Sequence, residues 1–329
     1  MPDTTDAPGS SRDLLDAARR LMRARQMSLR TEETYLRWME RFLGFTARED
    51  AGGPCGTAAR RFVEDLATRH RLGPSTRNQA AAAISFLLRE VVGCPEDPRL
   101  PRARGRSRLP TVVSPEECRR IMAELTGRNH LVVSLLYGSG LRLAEALHLR
   151  VKDVSFDPYR LTVRDGKGGK DRETLLPERA ANALRRQIER VARIHETDLE
   201  QGHGWARLPG ALDRKSPGCG YELAWQLVFP SKTLSQDPAT GRAGRWHIHP
   251  SVIQRAVKDA VRRSGVAQHV SCHTFRHSFA SHALRMGLDV RLVQELMGHK
   301  DLKTTEIYLH VVDRAGYGIR SPLDRLMDD

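Results

Sequence analysis

The sequence predicts a mainly α protein with a small β-sheet, built as a four-helix N-terminal domain joined to a larger mixed α/β domain. Three observations lead there. Apolar residues recur at helical spacing along most of the chain, two short alternating segments flank a glycine-rich turn, and a Pro/Arg-rich stretch near residue 100 separates the halves.

At 329 residues the chain is long enough for two domains that each bury a core. Lys and Arg total 54 against 40 Asp and Glu, an excess of +14 that points to a polyanionic partner, nucleic acid rather than a membrane. No run of about 18 apolar residues appears, and the polar start lacks the basic-then-apolar order of a secretory signal. The expected location is the cytoplasm, on the nucleoid when DNA is bound. The cysteines Cys55, Cys94, Cys118, Cys219 and Cys272 are scattered, with no Cys-x-x-Cys pair. That suits a reducing compartment and argues against a zinc ribbon or disulfide framework.

Residues 1–12 are polar with Pro and Gly and are expected to be a disordered tail. Residues 13–94 hold the four helical patterns. Leu14, Ala18, Leu21 and Met22 mark the first, Tyr35, Trp38, Met39 and Phe42 the second, and Phe62, Val63 and Leu66 the third. The fourth opens at Pro74-Ser75, carries Ala80, Ile84, Leu87, Leu88 and Val91, and stops at Gly93. Residues 95–112 interleave prolines with Arg99, Arg102, Arg104, Arg106 and Arg108, an extended basic linker that lets two domains clamp a duplex while its arginines meet phosphates.

From residue 113 to 329 the second domain opens on Ser114-Pro-Glu-Glu, a helix start, and a second helix runs from about His130 to Tyr137. Gly138-Ser-Gly-Leu-Arg142 interrupts the pattern and sets Arg142 at the start of a new helix beside flexible glycines, a plausible anion site. Arg160–Arg164 and Arg172–Leu176 read as strands of a hairpin whose tip presents Lys167 and Lys170. A long helix is expected to carry Leu184, Ile188, Val191, Ile194 and Leu199 inward. An irregular stretch to Pro250 follows, rich in the chain's few aromatics. Ser251–Arg263 is helical again, with Arg255 and Lys258 outward as DNA contacts, and helices from Thr274, Asp289 and Asp301 complete the domain.

A phosphodiester under attack spreads charge over its non-bridging oxygens, and two guanidiniums bind such oxygens with paired hydrogen bonds. Arg142 and Arg276 are the candidates. The hydroxyl of Tyr308 is the candidate nucleophile, Lys167 the donor to the leaving 5′ oxygen, and His273 shares a helix turn with Arg276. His299, after Gly298, is placed to donate to the phosphate. Lys170 is an alternative acid and Tyr317 an alternative nucleophile. His273 and His277, at i and i+4, look like a metal pair, but Arg276 between them argues against a cation there, and the scheme uses no metal or other cofactor.

The segments Gly140-Leu-Arg142-Leu-Ala-Glu145, Gly166-Lys167-Gly-Gly-Lys, His273-Thr-Phe-Arg276-His, Leu296-Met-Gly-His299 and Tyr308 together resemble the tyrosine recombinases. Every catalytic position of that family is matched, in order. The resemblance implies a SAM-like core-binding fold for the N-terminal domain and a tyrosine-recombinase catalytic fold from residue 113. It implies a covalent 3′-phosphotyrosine at Tyr308, a phosphate held by Arg142, Arg276 and His299, Lys167 as general acid and His273 assisting proton transfer. It further implies a homotetramer on two DNA sites, and a C-terminal segment around Ser321–Met327 docking on a neighbour. Ala144 departs from the Ser many members carry there, while Glu145 remains to orient Arg142.

The long interval between Lys167 and His273 leaves room for an insertion, at about 178–249, that resembles the one in integron integrases. In that type the added segment grips bases flipped out of a folded single-stranded hairpin, so both duplex and hairpin DNA are expected substrates. Trp225, Pro238, Trp246 and His247 occupy the corresponding positions, and stacking on such side chains is worth roughly 1–3 kcal/mol per base. Trp246-His247 stands where a His-His pair is expected, which changes the hydrogen bonding available at that pocket. Alternatives are a phage integrase, a chromosome-dimer resolvase, a relaxing topoisomerase, or a catalytically silent DNA-binding protein.

Overall fold

The structure is a computed structural model that describes residues 10–49, 55–94, 100, 102–103, 110–164, 171–209, 212–216, 218–237 and 240–313. The chain divides into two compact units, Met1–Arg108 and Leu109–Asp329.

In the first unit, α1 (Ser11–Ala24) opens on a reciprocal cap, with Ser10 Oγ accepting from Asp13 N–H and the Asp13 carboxylate accepting from Ser10 N–H. That cap starts the helix at Ser11, so Ser11 and Arg12, expected in the tail, are helical. Helices α2 (Leu29–Arg48), α3 (Gly56–Thr68) and α4 (Pro74–Phe86) follow, and α4 runs into a π-helical turn, Leu87–Val92, that ends on Gly93 at φ +69°. Met22, Met39, Phe42, Leu66, Ile84, Leu87 and Leu88 are fully buried at the centre, each adding about 1.5–3 kcal/mol. Leu100, inside the expected linker, joins this core. Ala103 N–H donates to Asn78 Oδ1 at 2.8 Å and its carbonyl accepts from Asn78 Nδ2 at 3.1 Å. The middle of the Pro/Arg stretch is therefore anchored to this unit by packing and a side-chain amide.

The second unit begins with α5 (Pro115–Ala123), opened by a Ser114–Glu117 capping box, then α6 (Gly127–Gly138) and the short α7 (Leu143–Leu147). After a polar first turn, helix α6 buries Leu131, Val132, Val133, Leu135 and Leu136, positions spread around its circumference, so its second half is central. Strands β1 (Val154–Phe156), β2 (Tyr159–Val163) and β3 (Arg172–Leu175) form one antiparallel sheet, with Val163 opposite Arg172 as the β2–β3 pair next to the connecting segment. Period-two alternation sends Arg172 and Thr174 inward and leaves Glu173 and Leu175 exposed. The tip with Lys167 and Lys170 lies outside the described residues.

Helix α8 (Glu178–Glu200) buries Leu184, Val191, His195 and Asp198. Leu199, expected inward, is 41% exposed, because the last turn directs Asp198 to Arg245 instead, at 2.6 and 2.8 Å. Beyond it come α9 (Leu212–Lys215) and a small hairpin of β4 (Ser235–Gln236) and β5 (Ala243–Gly244). Helices α10 (Pro250–Ser264), α11 (Cys272–Arg285), α12 (Val290–Met297) and α13 (Lys303–Asp313) close the unit. Helix α11 is buried on most of its faces, with Phe275, Arg276, Ser278, Phe279 and Ala280 all inside, which carries the Arg276 guanidinium into the interior. This is the mainly α architecture with a small sheet that the sequence predicts. Among the described residues, no helix is long and apolar enough to cross a membrane.

Candidate active site

One carboxylate organises the cationic side of the site. Glu145 caps α7 by accepting from the Arg142 N–H at 2.7 Å, and accepts from Arg142 Nη1 at 2.6 Å. It takes two parallel bonds from Arg172, at 3.0 and 2.8 Å, and stands 3.5 Å from Arg276 Nη1. Burial pushes this carboxyl up, but the hydrogen bonds and charge of Arg172, the Arg142 backbone and the charge of Arg276 outweigh it and hold the group at about 2.

Arg276, 2% exposed, is fixed by two carbonyls. Its Nη1 donates to Gly140 O and its Nη2 to Met297 O at 2.5 Å. Gly140 sits at φ +64°, and a Cβ there would lie 2.5 Å from the Phe279 ring, so only glycine presents that carbonyl to Arg276. Burial first, then the Arg142 charge, lowers the Arg276 guanidinium to about 9, and it stays protonated at neutral pH. A guanidinium has five N–H donors, so donors remain on Arg276 and on the half-buried Arg142 for an anion.

Tyr308 faces this cluster from α13. It is 3% exposed, and its hydroxyl lies 2.6 Å from His277 Nδ1. Its ring stacks on His299 with centroids 6.2 Å apart and packs against His277 at 5.7 Å. His299 follows Gly298, which ends α12 at φ +63°, and its Nδ1 is paired with Thr305 Oγ1 at 2.9 Å. Burial, then Arg276 and Arg142, takes His299 down to about 3; burial, then His273 and Arg276, takes His277 to about 4. Both imidazoles are neutral at pH 7. Burial raises the Tyr308 phenol, with the charges of Arg276 and Arg142 pulling the other way.

Arg142, His273, Arg276, His299 and Tyr308 thus gather in one region of the second unit, with His273 packed edge-on to His277 at 5.5 Å. Lys167 lies outside the described residues. Sequence reading missed two participants. His277, weighed there only as half of a metal pair, contacts the tyrosine; its place at i+4 from His273, on the same helix face, was the available signal. Arg172 binds Glu145 and donates to Leu296 O at 3.0 Å; its two-residue spacing from the inward Thr174 would have shown it points inside. Among the described residues no group of three His, Cys, Asp or Glu is placed to hold a metal.

The candidate base contacts divide. Trp246 and His247 line a cavity of about 270 Å³ together with Trp205, Arg207, Arg242 and Arg245. Trp225 is not among the lining residues: Lys152 Nζ sits 2.9 Å from its ring centroid and covers one face, while Arg150 holds its carbonyl at 2.6 Å. Pro238 lies outside the described residues. Arg255 and Lys258 are exposed on α10, and Lys258 borders a cleft of about 660 Å³ that His273 also lines.

Residues 111–314 match the Phage integrase family and residues 14–96 the Phage integrase N-terminal SAM-like domain. An integrase/recombinase of Escherichia coli is 41% identical over 322 residues, 97% of this chain and 95% of that protein. Tyrosine recombinase XerC of Xanthomonas campestris pv. campestris is 31% identical over 333 residues, 94% of this chain and 88% of its own. Among solved structures, the Tn1549 transposon integrase in complex with transposon right end DNA shares the fold at TM-score 0.62 and 15% identity, over 92% of this chain and 97% of that one. XerH bound to a palindromic difH substrate shares it at TM-score 0.61 and 19% identity, over 93% and 82%. The chain belongs to the phage integrase family and is a tyrosine recombinase, an enzyme of site-specific recombination.

Proposed function

We propose that Tyr308 attacks a DNA phosphodiester, forming a bond from its phenolic oxygen to phosphorus as the bond to the 5′ oxygen breaks. Arg142, Arg276 and His299 hold the non-bridging oxygens, Lys167 protonates the leaving oxygen, and His273 assists proton transfer. The observation that carries this reading is the burial of the Tyr308 hydroxyl against His277 and His299, beside two guanidiniums tied to a shared carboxylate. The phosphotyrosyl ester conserves the bond energy, so rejoining consumes no nucleotide cofactor.

Within the family, the reading is an integron integrase that inserts and excises gene cassettes at duplex and folded hairpin sites, as a homotetramer on two DNA sites. Residues 13–94 serve as the core-binding clamp, 95–112 as the basic linker and 113–329 as the catalytic domain, with the insertion at about 178–249. Supporting it is the cavity beside Trp246 and His247, walled by arginines and aromatic rings of the kind on which an unpaired base stacks. A second reading, a chromosome-dimer resolvase, draws on the likeness to XerC.

The two are separated by covalent adduct formation on matched oligonucleotides, one a duplex and one a folded hairpin with extrahelical bases. The integron reading expects adduct on both. A resolvase gives adduct on the duplex alone.

A further inference from the structure

We propose that His277 is a catalytic residue, the base that accepts the phenolic proton of Tyr308 as the phenolic oxygen bonds to phosphorus. This rests on Tyr308 being the nucleophile.

The geometry is direct. His277 Nδ1 lies 2.6 Å from the Tyr308 hydroxyl, within the range of a strong O–H···N hydrogen bond. Among the described residues it is the hydroxyl's only hydrogen-bond partner, and a 3%-exposed phenol needs an acceptor for its proton. The phenol therefore donates, Nδ1 accepts, and the imidazole proton resides on Nε2. That tautomer presents a lone pair to the nucleophile.

Charged and titratable neighbours keep that lone pair available. On its own helix His277 faces His273 and Arg276; from α13 it faces Tyr308; from the segment after α12 it faces His299, itself neutral at pH 7. Burial first, then His273 and Arg276, disfavours a proton on His277. A phosphodiester bound by Arg142 and Arg276 adds a negative charge, which reverses that bias when the base must act. In cleavage, the Tyr308 O–H bond breaks toward Nδ1, the oxygen–phosphorus bond forms, and the 5′ oxygen leaves with a proton from the general acid. In rejoining, the imidazolium returns its proton to the departing phenolate. Among the described residues His273 makes no hydrogen bond to Tyr308, and it lines the cleft that Lys258 borders.

The test is single-turnover cleavage of a nicked duplex by the full chain across pH, using His277→Ala and His277→Gln, each with Tyr308 or a fluorinated tyrosine of lower phenol pKa at that position. A base contributes about 10²- to 10⁴-fold. Both variants should bind DNA as the wild type does, cleave that much more slowly, and gain rate with rising pH and with fluorination. The wild-type chain should keep the midpoint of its pH–rate curve when position 308 is fluorinated, since that midpoint belongs to the imidazole. Wild-type rates in the variants, no recovery on fluorination, or a wild-type midpoint that follows the phenol would each overturn the proposal. Should the wild-type adduct map to a residue other than Tyr308, the nucleophile reading itself fails, which is a separate outcome.

Discussion

Arg172 gives both of its terminal nitrogens to the two oxygens of Glu145, at 3.0 and 2.8 Å, while its Nε holds the Leu296 carbonyl at 3.0 Å. One side chain on β3 thereby joins the acid that caps Arg142 to the end of the helix that precedes His299. Replacing Glu145 by Gln leaves Arg142, Arg172 and Arg276 without their common anion. Breaking such a nearly buried network costs about 3–5 kcal/mol, and urea denaturation should show a loss of that order. Unchanged stability would mean the arginines are neutralised by something else.

Arg172→Lys keeps the charge but cannot make the paired bonds and the carbonyl bond together. A hydrogen bond to a charged group contributes about 1.5–3 kcal/mol, so single-turnover cleavage should fall by roughly one to two powers of ten. DNA affinity should stay near wild type, because Arg172 is turned away from solvent. A variant cleaving at full rate would reduce Arg172 to an interchangeable cation.

Acid should destabilise the second unit in two stages. His277 and His299 drop from the ordinary 6.5 to about 4 and about 3, so both bind protons more readily when unfolded, and their contribution, complete above pH 6.5, drains away as pH falls toward those values. Glu145, lowered from 4.5 to about 2, follows the same sign at lower pH. Denaturation midpoints at pH 7.5, 5.5 and 4 should decrease in that order, with a shallower decline in His299→Gln. Equal midpoints at the three pH values would contradict the burial of neutral imidazoles.

Much of the fold was legible because local chemistry set it. Ser114-Pro-Glu-Glu, Pro74 and Gly93 mark helix ends at the residues where caps form, and apolar spacing found the core of both units. Motif spacing likewise brought Arg142, His273, Arg276, His299 and Tyr308 forward. What stayed hidden depends on contacts between distant segments. β1 is a three-residue strand, half-buried throughout, with no alternation to betray it. Leu199 looks apolar in sequence, but the Asp198–Arg245 pair decides the rotation of that last turn. His277 has no meaning until α13 brings a hydroxyl to it, and Trp225 is legible as an aromatic but not as one already covered by Lys152.

If the cavity beside Trp246 receives an unpaired base, Trp246→Ala should weaken hairpin binding by about ten- to a hundredfold, the equivalent of roughly 1–3 kcal/mol of stacking. Duplex binding should change little. Trp225→Ala should have the smaller effect of the two, since Trp225 does not line that cavity and Lys152 sits over its ring. Gel-shift titrations on matched hairpin and duplex oligonucleotides measure both; equal losses on the two substrates would make this region a packing element rather than a base pocket.

The most direct measurement is covalent capture. Full-length protein is incubated with a nicked duplex whose short 3′ fragment diffuses away after cleavage, and the product is resolved under denaturing conditions and mapped by peptide mass spectrometry. A phosphotyrosyl adduct on Tyr308 in the wild type, with none in a Tyr308→Phe variant that still binds the DNA, is the predicted result. An adduct that persists in the phenylalanine variant, or that maps to another residue, would contradict the account.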